Sequence, residues 1–213
     1  MHNTKIKMKQ IILILIFALT TSLCFGQNEH LEPAKDFKQY KGDLKEYYDN
    51  VFLLLYKGFS EKPIARYTSM PSFSNEYSFS LEKIDGKQYI VCNRLSENYW
   101  YTENKKKVKL ITNKIELHED LFLKITELFK LLDEQTRESE NDSMGFDGII
   151  YYFSTIDKNS NLNTGKTWSP TDNTLLYRVV KICDILYSIG NGKNISQADI
   201  LKEIDKLIND LKK

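Results

Sequence analysis

The sequence predicts an α+β domain in which an antiparallel sheet of four to six strands packs against three or four helices. Three observations predict this fold class. Apolar residues recur at spacings of three and four in several segments, as expected for helices with one buried face. Other segments alternate apolar and polar residues, as half-buried strands do. Neither a repeat nor a linker rich in Pro or Gly divides the chain, so a single core is expected.

The N-terminus predicts export from the cell. Three lysines precede an apolar run, 11–25, and the chain turns polar after Gly26. A basic start, an apolar stretch of this length and small residues before the cut describe a secretory signal peptide. We therefore expect a signal peptide over 1–26, cleavage after Gly26, and a single periplasmic or secreted domain over 27–213. The alternative is an uncleaved anchor, although the apolar run is shorter than the ~20 residues of a membrane span.

Helical periodicity appears in 34–57, 119–135, 169–189 and 196–211. Gly42 interrupts the first of these segments and could divide it into two helices. The last two segments each open on a serine that can cap the first turn of a helix. The predicted buried stripe of the first helix consists of Phe37, Tyr40, Leu44, Tyr47, Val51 and Leu54.

The clearest strand signals lie in the first half of the chain. Residues 64–70 are strand-like, and 77–82 alternate apolar and polar side chains. Asp85 and Gly86 are typical of a two-residue hairpin turn, which sets the register of the two strands. The predicted pairs are Ile84–Lys87, Leu81–Ile90, Phe79–Cys92 and Tyr77–Arg94.

Three further predictions concern the second half of the sheet. Residues 99–102 and 106–111 are predicted to form a hairpin around 103–105. The continuous apolar run within 148–156 predicts a strand covered on both faces. Residues 157–165 are predicted to form a polar loop that leads to Trp168.

Two cysteines follow the predicted cleavage site, Cys92 and Cys183. The hairpin register places Cys92 on the buried face of the sheet, and helical periodicity places Cys183 on the buried face of its helix. An even number of cysteines in an oxidising compartment permits a disulfide. Two buried free thiols are the alternative, because Cys is among the most frequently buried residue types.

The residue inventory excludes several chemistries. Only His30 and His118 follow the signal peptide, so a zinc site built on several histidines or cysteines is excluded. The sequence holds neither a Gly-x-Ser-x-Gly elbow nor a Gly-rich phosphate loop. Without the three N-terminal lysines, 27 basic residues face 29 acidic ones, which does not favour nucleic acid or an anionic membrane. We expect no metal, no cofactor, no nucleic acid partner and no stable membrane insertion after cleavage.

Carboxylates are the remaining catalytic groups. Asp142, Asp147 and Asp157 flank the predicted strand 148–156 and could approach one another. Paired acids hydrolyse glycosides, whereas most acids in loops are simply solvated. These three residues are therefore the candidates for an alternative function, a secreted hydrolase.

Aromatic residues supply the candidate binding site, since the chain holds 13 Tyr, 11 Phe and 2 Trp. Side chains on a strand alternate between its faces, so Tyr99, Trp100 and Tyr101 cannot all point inward. Trp168 is expected in a loop before a helix. Tyr and Trp outside a core are typical anchors for sugar rings or protein partners. The alternative is that Trp100 and Trp168 cover the ends of a small core.

These observations lead to one leading hypothesis and two alternatives. The leading hypothesis is an exported bacterial protein with a non-enzymatic binding role. Its partner would be a protein, as for an immunity or inhibitor protein, or a surface glycan. The alternatives are the secreted hydrolase with paired carboxylates and a structural accessory protein of the cell envelope.

Overall fold

The computed structural model describes residues 29–34, 40–139 and 147–213. The predicted signal peptide, its cleavage site after Gly26, and residues 35–39 of the predicted first helix lie outside these ranges. The elements in chain order are β1 Glu32–Pro33, α1 Gly42–Leu55, β2 Arg66–Pro71, β3 Tyr77–Ile84, β4 Lys87–Leu95, β5 Leu110–Glu116, α2 Glu119–Glu134, β6 Ile149–Ile156, β7 Leu162–Trp168, α3 Leu175–Gly190 and α4 Gln197–Leu211.

The predicted α+β class is confirmed. Within the described ranges, seven strands form one antiparallel sheet in the order β1-β7-β6-β2-β3-β4-β5, and four helices cover it. The sheet is larger than predicted because β1 and β7 extend it beyond β6. None of the helices in the described ranges is both long and apolar enough to cross a membrane.

The β3–β4 hairpin forms with the predicted register. Ile84 pairs with Lys87 across the turn, and Phe79 pairs with Cys92 further along the strands. Asp85 and Gly86 both have positive φ, +51° and +77°, as a tight two-residue hairpin turn requires. The register therefore follows from the turn alone, without any information on what covers the sheet.

One face of the sheet, which we call the helical face, is covered by α2 and α3, with α4 packed on both of these helices. Phe129 on α2 lies against the rings of Phe79 and Phe153, at centroid distances of 6.2 and 5.9 Å. The main apolar core forms between these layers. The sheet residues of the helical face are Tyr67, Phe79, Leu81, Ile90, Cys92, Tyr151 and Phe153.

The opposite face, which we call the cleft face, is covered by α1 and is far more polar. Asn93 is fully buried and donates from Nδ2 to the carbonyls of Leu55, at 2.6 Å, and Lys57, at 3.1 Å. These carbonyls belong to the C-terminal end of α1, where helices lack internal partners. The inward residues of the cleft face are Thr68, Met70, Ser78, Ser80, Asn93, Leu95, Tyr152 and Ser154.

α1 begins at Gly42, which has a φ of +59° and is the residue expected to divide the segment predicted over 34–57; residues 35–39 lie outside the described ranges. One predicted helix start is wrong. α3 begins at Leu175, and Thr174 caps it by accepting from Tyr177 N at 3.1 Å. Ser169 does not cap a helix because its Oγ accepts from the backbone N–H of Ile149 at 2.8 Å. By contrast, Ser196 caps α4 as predicted.

The polar loop predicted over 157–165 is shorter than expected and ends at residue 161. Residues 162–168 form β7, which pairs with β6 from Ile156–Leu162 to Ile150–Trp168. Its side chains are mostly polar and half-buried, so alternation of hydrophobicity gives no signal. Gly165 is the buried residue of this strand, and a Cβ there would lie 2.9 Å from the Leu31 side chain.

Both cysteines are buried and are free thiols in the structure. Cys92 reaches α3 near its C-terminal end, where a Cβ on Gly190 would lie 2.2 Å from its Sγ. Cys183 lies on the same helix, seven residues before Gly190, which corresponds to about 10 Å along the helix axis. This separation explains why the two thiols do not meet even though both face the interior between α3 and the sheet.

Candidate functional site: an aromatic cleft

A cavity of about 350 Å³ opens at one end of the cleft face. It lies where β2 and β7 end and β6 begins, against the first half of α1. We call it the aromatic cleft. Its lining residues are Tyr40, Leu44, Tyr47, Tyr48, Met70, Pro71, Ser72, Trp100, Tyr101, Asp147, Gly148, Ile150 and Trp168.

The wall formed by Trp100 and Tyr101 belongs to the connection between β4 and β5. The predicted hairpin of 99–102 with 106–111 is wrong, because β5 pairs with β4 and residues 99–101 form turns. Tyr99 is buried, whereas Trp100 is 45% exposed and Tyr101 is 59% exposed. The strand alternation expected for these residues, with Tyr99 and Tyr101 on the same side, is therefore not observed.

A buried carboxylate fixes the start of this connection. Glu76 is fully buried, and both of its carboxylate oxygens accept from the backbone N–H of Tyr99 at 3.1 Å. The Tyr47 hydroxyl donates to Glu76 Oε1 at 2.9 Å. Burial raises the pKa of the Glu76 carboxyl, and burial followed by the Glu76 charge raises the pKa of Tyr47. The tyrosine therefore stays protonated and acts as a donor at neutral pH.

Lys105 and Asn98 hold the turn around Trp100. Lys105 Nζ donates to the carbonyl of Trp100 at 2.8 Å and also to that of Tyr99. Asn98 Oδ1 accepts from the backbone N–H of Tyr101 at 3.2 Å. These bonds fix the backbone on either side of Trp100, so its exposed ring is presented by an anchored segment.

Ring contacts order the remaining wall of the cleft. Tyr47 meets Trp100 edge to face with a centroid distance of 5.3 Å. Tyr40 and Tyr48 stack at 5.1 Å. The hydrogen bonds and ring contacts together order the aromatic residues that line the cavity.

Trp168 closes the cleft from the β7 side. It is the last residue of β7, where it pairs with Ile150. A Cβ on Gly148 would lie 2.6 Å from Trp168 Nε1, so only glycine admits the indole at this position. Trp168 is therefore part of a strand end, not of a loop before a helix as expected from the sequence.

The three candidate carboxylates do not form a group in the described residues. Asp147 lines the aromatic cleft. Asp157 follows the opposite end of β6. The rise per residue of a strand places it about 25–30 Å from Asp147. The Asp157 carboxylate accepts from the backbone N–H groups of Asn159 and Asn161, and the bond from Asn161 contributes most to the lowered pKa of Asp157. Asp142 lies outside the described ranges.

The structure thus brings together Trp100, Tyr101 and Trp168 with Asp147, while Tyr99 is buried behind them. Sequence reasoning missed Glu76 and Lys105, which have no local signal. It also assigned Tyr40 and Tyr47 to the buried stripe of the first predicted helix, whereas both line the cleft, together with Tyr48.

No group of three or more His, Cys, Asp or Glu side chains that could hold a metal ion occurs in the part of the chain that the structure describes. The comparisons with known proteins give no relative: no family model, no curated protein and no solved structure matches this chain. Its function must therefore be argued from its own residues.

Proposed function

We propose that this protein is an exported, non-enzymatic glycan-binding protein that holds a sugar ring in the aromatic cleft. The observation that carries the proposal is the convergence of Trp100, Tyr101 and Trp168 on one cavity, with two of these rings largely exposed. The apolar face of a sugar ring packs on aromatic faces, while its hydroxyls need polar groups at the edges. Asp147 and the exposed Tyr101 of the lining carry such groups.

Binding without hydrolysis is favoured by the acid content of the cleft. Enzymatic hydrolysis of glycosides generally uses two carboxyl groups about 5–9.5 Å apart. Asp147 is the one carboxylate among the described lining residues of the cleft. Glu76 is fully buried behind Tyr47 and Tyr99, and its role there is to position the wall.

Calorimetric titration with a panel of tetrasaccharides tests the proposal. The probes are the tetrasaccharides of N-acetylglucosamine, glucose in its β-1,4 and α-1,4 linked forms, and mannose. We expect at least one to bind saturably and Trp100→Ala to weaken that binding about tenfold, because it removes the main stacking surface. Leu162→Ala, which removes a similarly exposed side chain at the far end of the sheet, is the matched control.

Two results would contradict the proposal. One is the absence of saturable binding of any of the four tetrasaccharides at millimolar concentrations. The other is binding that Trp100→Ala and Leu162→Ala affect equally, because the ligand would then lie outside the aromatic cleft.

A protein partner is the second candidate, and one observation favours it. The outer face of α1 forms a shallow apolar groove along Phe52, Leu53 and Tyr56, and Leu53 is 74% exposed. Exposed apolar patches of this kind mark protein interaction sites. Leu53→Asp separates the two candidates, since it disrupts this groove and leaves the glycan affinity of the aromatic cleft unchanged.

A further inference from the structure

A second cavity adjoins the aromatic cleft on the other side of Trp100. It measures about 340 Å³ and is lined by Asp43, Glu46, Tyr47, Tyr99, Trp100 and Lys105. Tyr47 and Trp100 line both cavities. The two cavities are therefore neighbours with Tyr47 and Trp100 between them, and we call the second one the acidic cavity.

The acidic cavity carries more negative than positive charge. Asp43 and Glu46 contribute two carboxylates, and among the described residues neither forms an ion pair. Lys45, the cation between them in the sequence, pairs with Asp49. The Glu46 charge reaches the Tyr99 ring, because after burial it is the second cause of the raised pKa of Tyr99.

The rings of the acidic cavity already hold one ammonium group. Lys105 Nζ lies 5.0 Å from the centroid of the Tyr99 ring. Its hydrogen bonds go to the carbonyls of Tyr99 and Trp100, and not to Asp43 or Glu46. Lys105 takes the face of Tyr99 and repels other cations, so a second ammonium group in this cavity would be held by the two carboxylates, which outnumber the one lysine.

We propose that the acidic cavity is a second subsite that binds the ammonium group of an amino sugar. The inference rests on the proposed glycan function: one ring stacks in the aromatic cleft, and the next residue of the glycan places its ammonium between Asp43 and Glu46. The ligand class is then a glycan with free amino groups, and its N-acetylated counterpart is the weaker ligand because it lacks the charge.

Two disaccharides that differ only in charge test the inference. The β-1,4 disaccharide of glucosamine and that of N-acetylglucosamine are titrated calorimetrically into the purified protein at about pH 6, where the sugar amine is largely protonated. We expect the glucosamine disaccharide to bind about tenfold more tightly, since two carboxylates at a partly exposed site contribute a few-fold each. The double variant Asp43→Asn, Glu46→Gln should abolish this difference and leave the N-acetylated disaccharide within about twofold.

Glu61→Gln is the matched control, because it removes one exposed carboxylate that lies outside both cavities. It should leave the preference unchanged. Salt provides a test without substitution: raising the ionic strength from about 0.05 to 0.5 M should reduce the preference of the unmodified protein.

Equal affinity for the two disaccharides, a preference that survives in the double variant, or a preference insensitive to salt would overturn the inference. Failure of both disaccharides to bind would overturn it as well. The tetrasaccharide panel decides separately whether the glycan function stands, so failure of the subsite and failure of the proposed function give different results.

Discussion

The two faces of the sheet bury different kinds of side chain. On the helical face, large apolar side chains of α2 and α3 fill the space against Phe79, Leu81 and Phe153. On the cleft face, a buried layer of hydroxyl and amide groups lies under α1, including Thr68, Ser78 and Asn93. Apolar burial is non-directional, whereas hydrogen bonds fix relative positions. The comparison indicates that the helical face provides most of the stability and that the cleft face holds α1 and the aromatic cleft in place.

The largest predicted effect concerns the helical face. Phe129→Ala removes a buried ring that contacts Phe79 and Phe153 and should lower the free energy of unfolding by about 3–5 kcal/mol. Leu123→Ala, on the exposed side of the same helix, should cost no more than about 0.5 kcal/mol. Urea denaturation of both variants measures the difference. A cost below about 1 kcal/mol for Phe129→Ala would show that this face is not the main source of stability.

An intermediate effect is predicted on the cleft face. Asn93→Ala leaves the carbonyls of Leu55 and Lys57 without their side-chain donor and should cost about 2 kcal/mol. It should also weaken ligand binding, because α1 carries part of the aromatic cleft. The matched control is Asn113→Ala, since Asn113 makes one exposed hydrogen bond, to Asn191. If the two substitutions were equivalent in stability and in binding, Asn93 would not be the anchor of α1.

A smaller effect distinguishes Glu76 by its response to pH. Burial raises the pKa of Glu76 above its value in the unfolded chain. Its contribution to stability is therefore fully present in acid and is lost as the pH rises through the folded pKa. We define the stability gap as the stability of the unmodified protein minus that of Glu76→Gln. Measured by thermal unfolding, this gap should decrease from about pH 3 to about pH 7. A gap that widens over this range would show that the bonds from Tyr47 and Tyr99 outweigh burial.

The smallest predicted effect concerns Asp210, on the helical side of the sheet. Its contribution to stability changes with pH in the opposite direction to that of Glu76. Asp210 on α4 accepts from Lys213 and from Arg178 on α3, and these hydrogen bonds lower the pKa of Asp210 to about 2. Its contribution is present above the unfolded pKa and is lost as the pH falls toward about 2. Asp210→Asn should therefore be slightly less stable than the unmodified protein at neutral pH and equal to it near pH 2. A difference that persists near pH 2 would assign the effect to packing instead of charge.

The same comparison explains how much the sequence predicts. The register of the β3–β4 hairpin follows from two adjacent turn residues, Asp85 and Gly86, and the cap of α4 follows from Ser196. Such features depend on neighbours in the chain, so a local pattern contains the necessary information.

The cleft could be predicted only in part. The aromatic residues stood out by type, but the turn that presents Trp100 depends on Glu76, which lies 23 residues before Tyr99 in the sequence. No local pattern pairs a carboxylate with a distant backbone N–H. Ser169 is a second example of a distant partner. Its hydroxyl accepts from the backbone N–H of Ile149, so it does not cap a helix.

The chain contains two tryptophans, Trp100 and Trp168, and both line the aromatic cleft. Tryptophan fluorescence therefore reports on the aromatic cleft and, through Trp100, on the adjoining acidic cavity, and it tests the central claim most directly. On titration with the tightest-binding tetrasaccharide, we predict a saturable change in emission with the dissociation constant found by calorimetry, retained in Trp168→Phe, where Trp100 is the single reporter. Calorimetric binding with no change in tryptophan emission would contradict the account, because the sugar would then be held away from both rings.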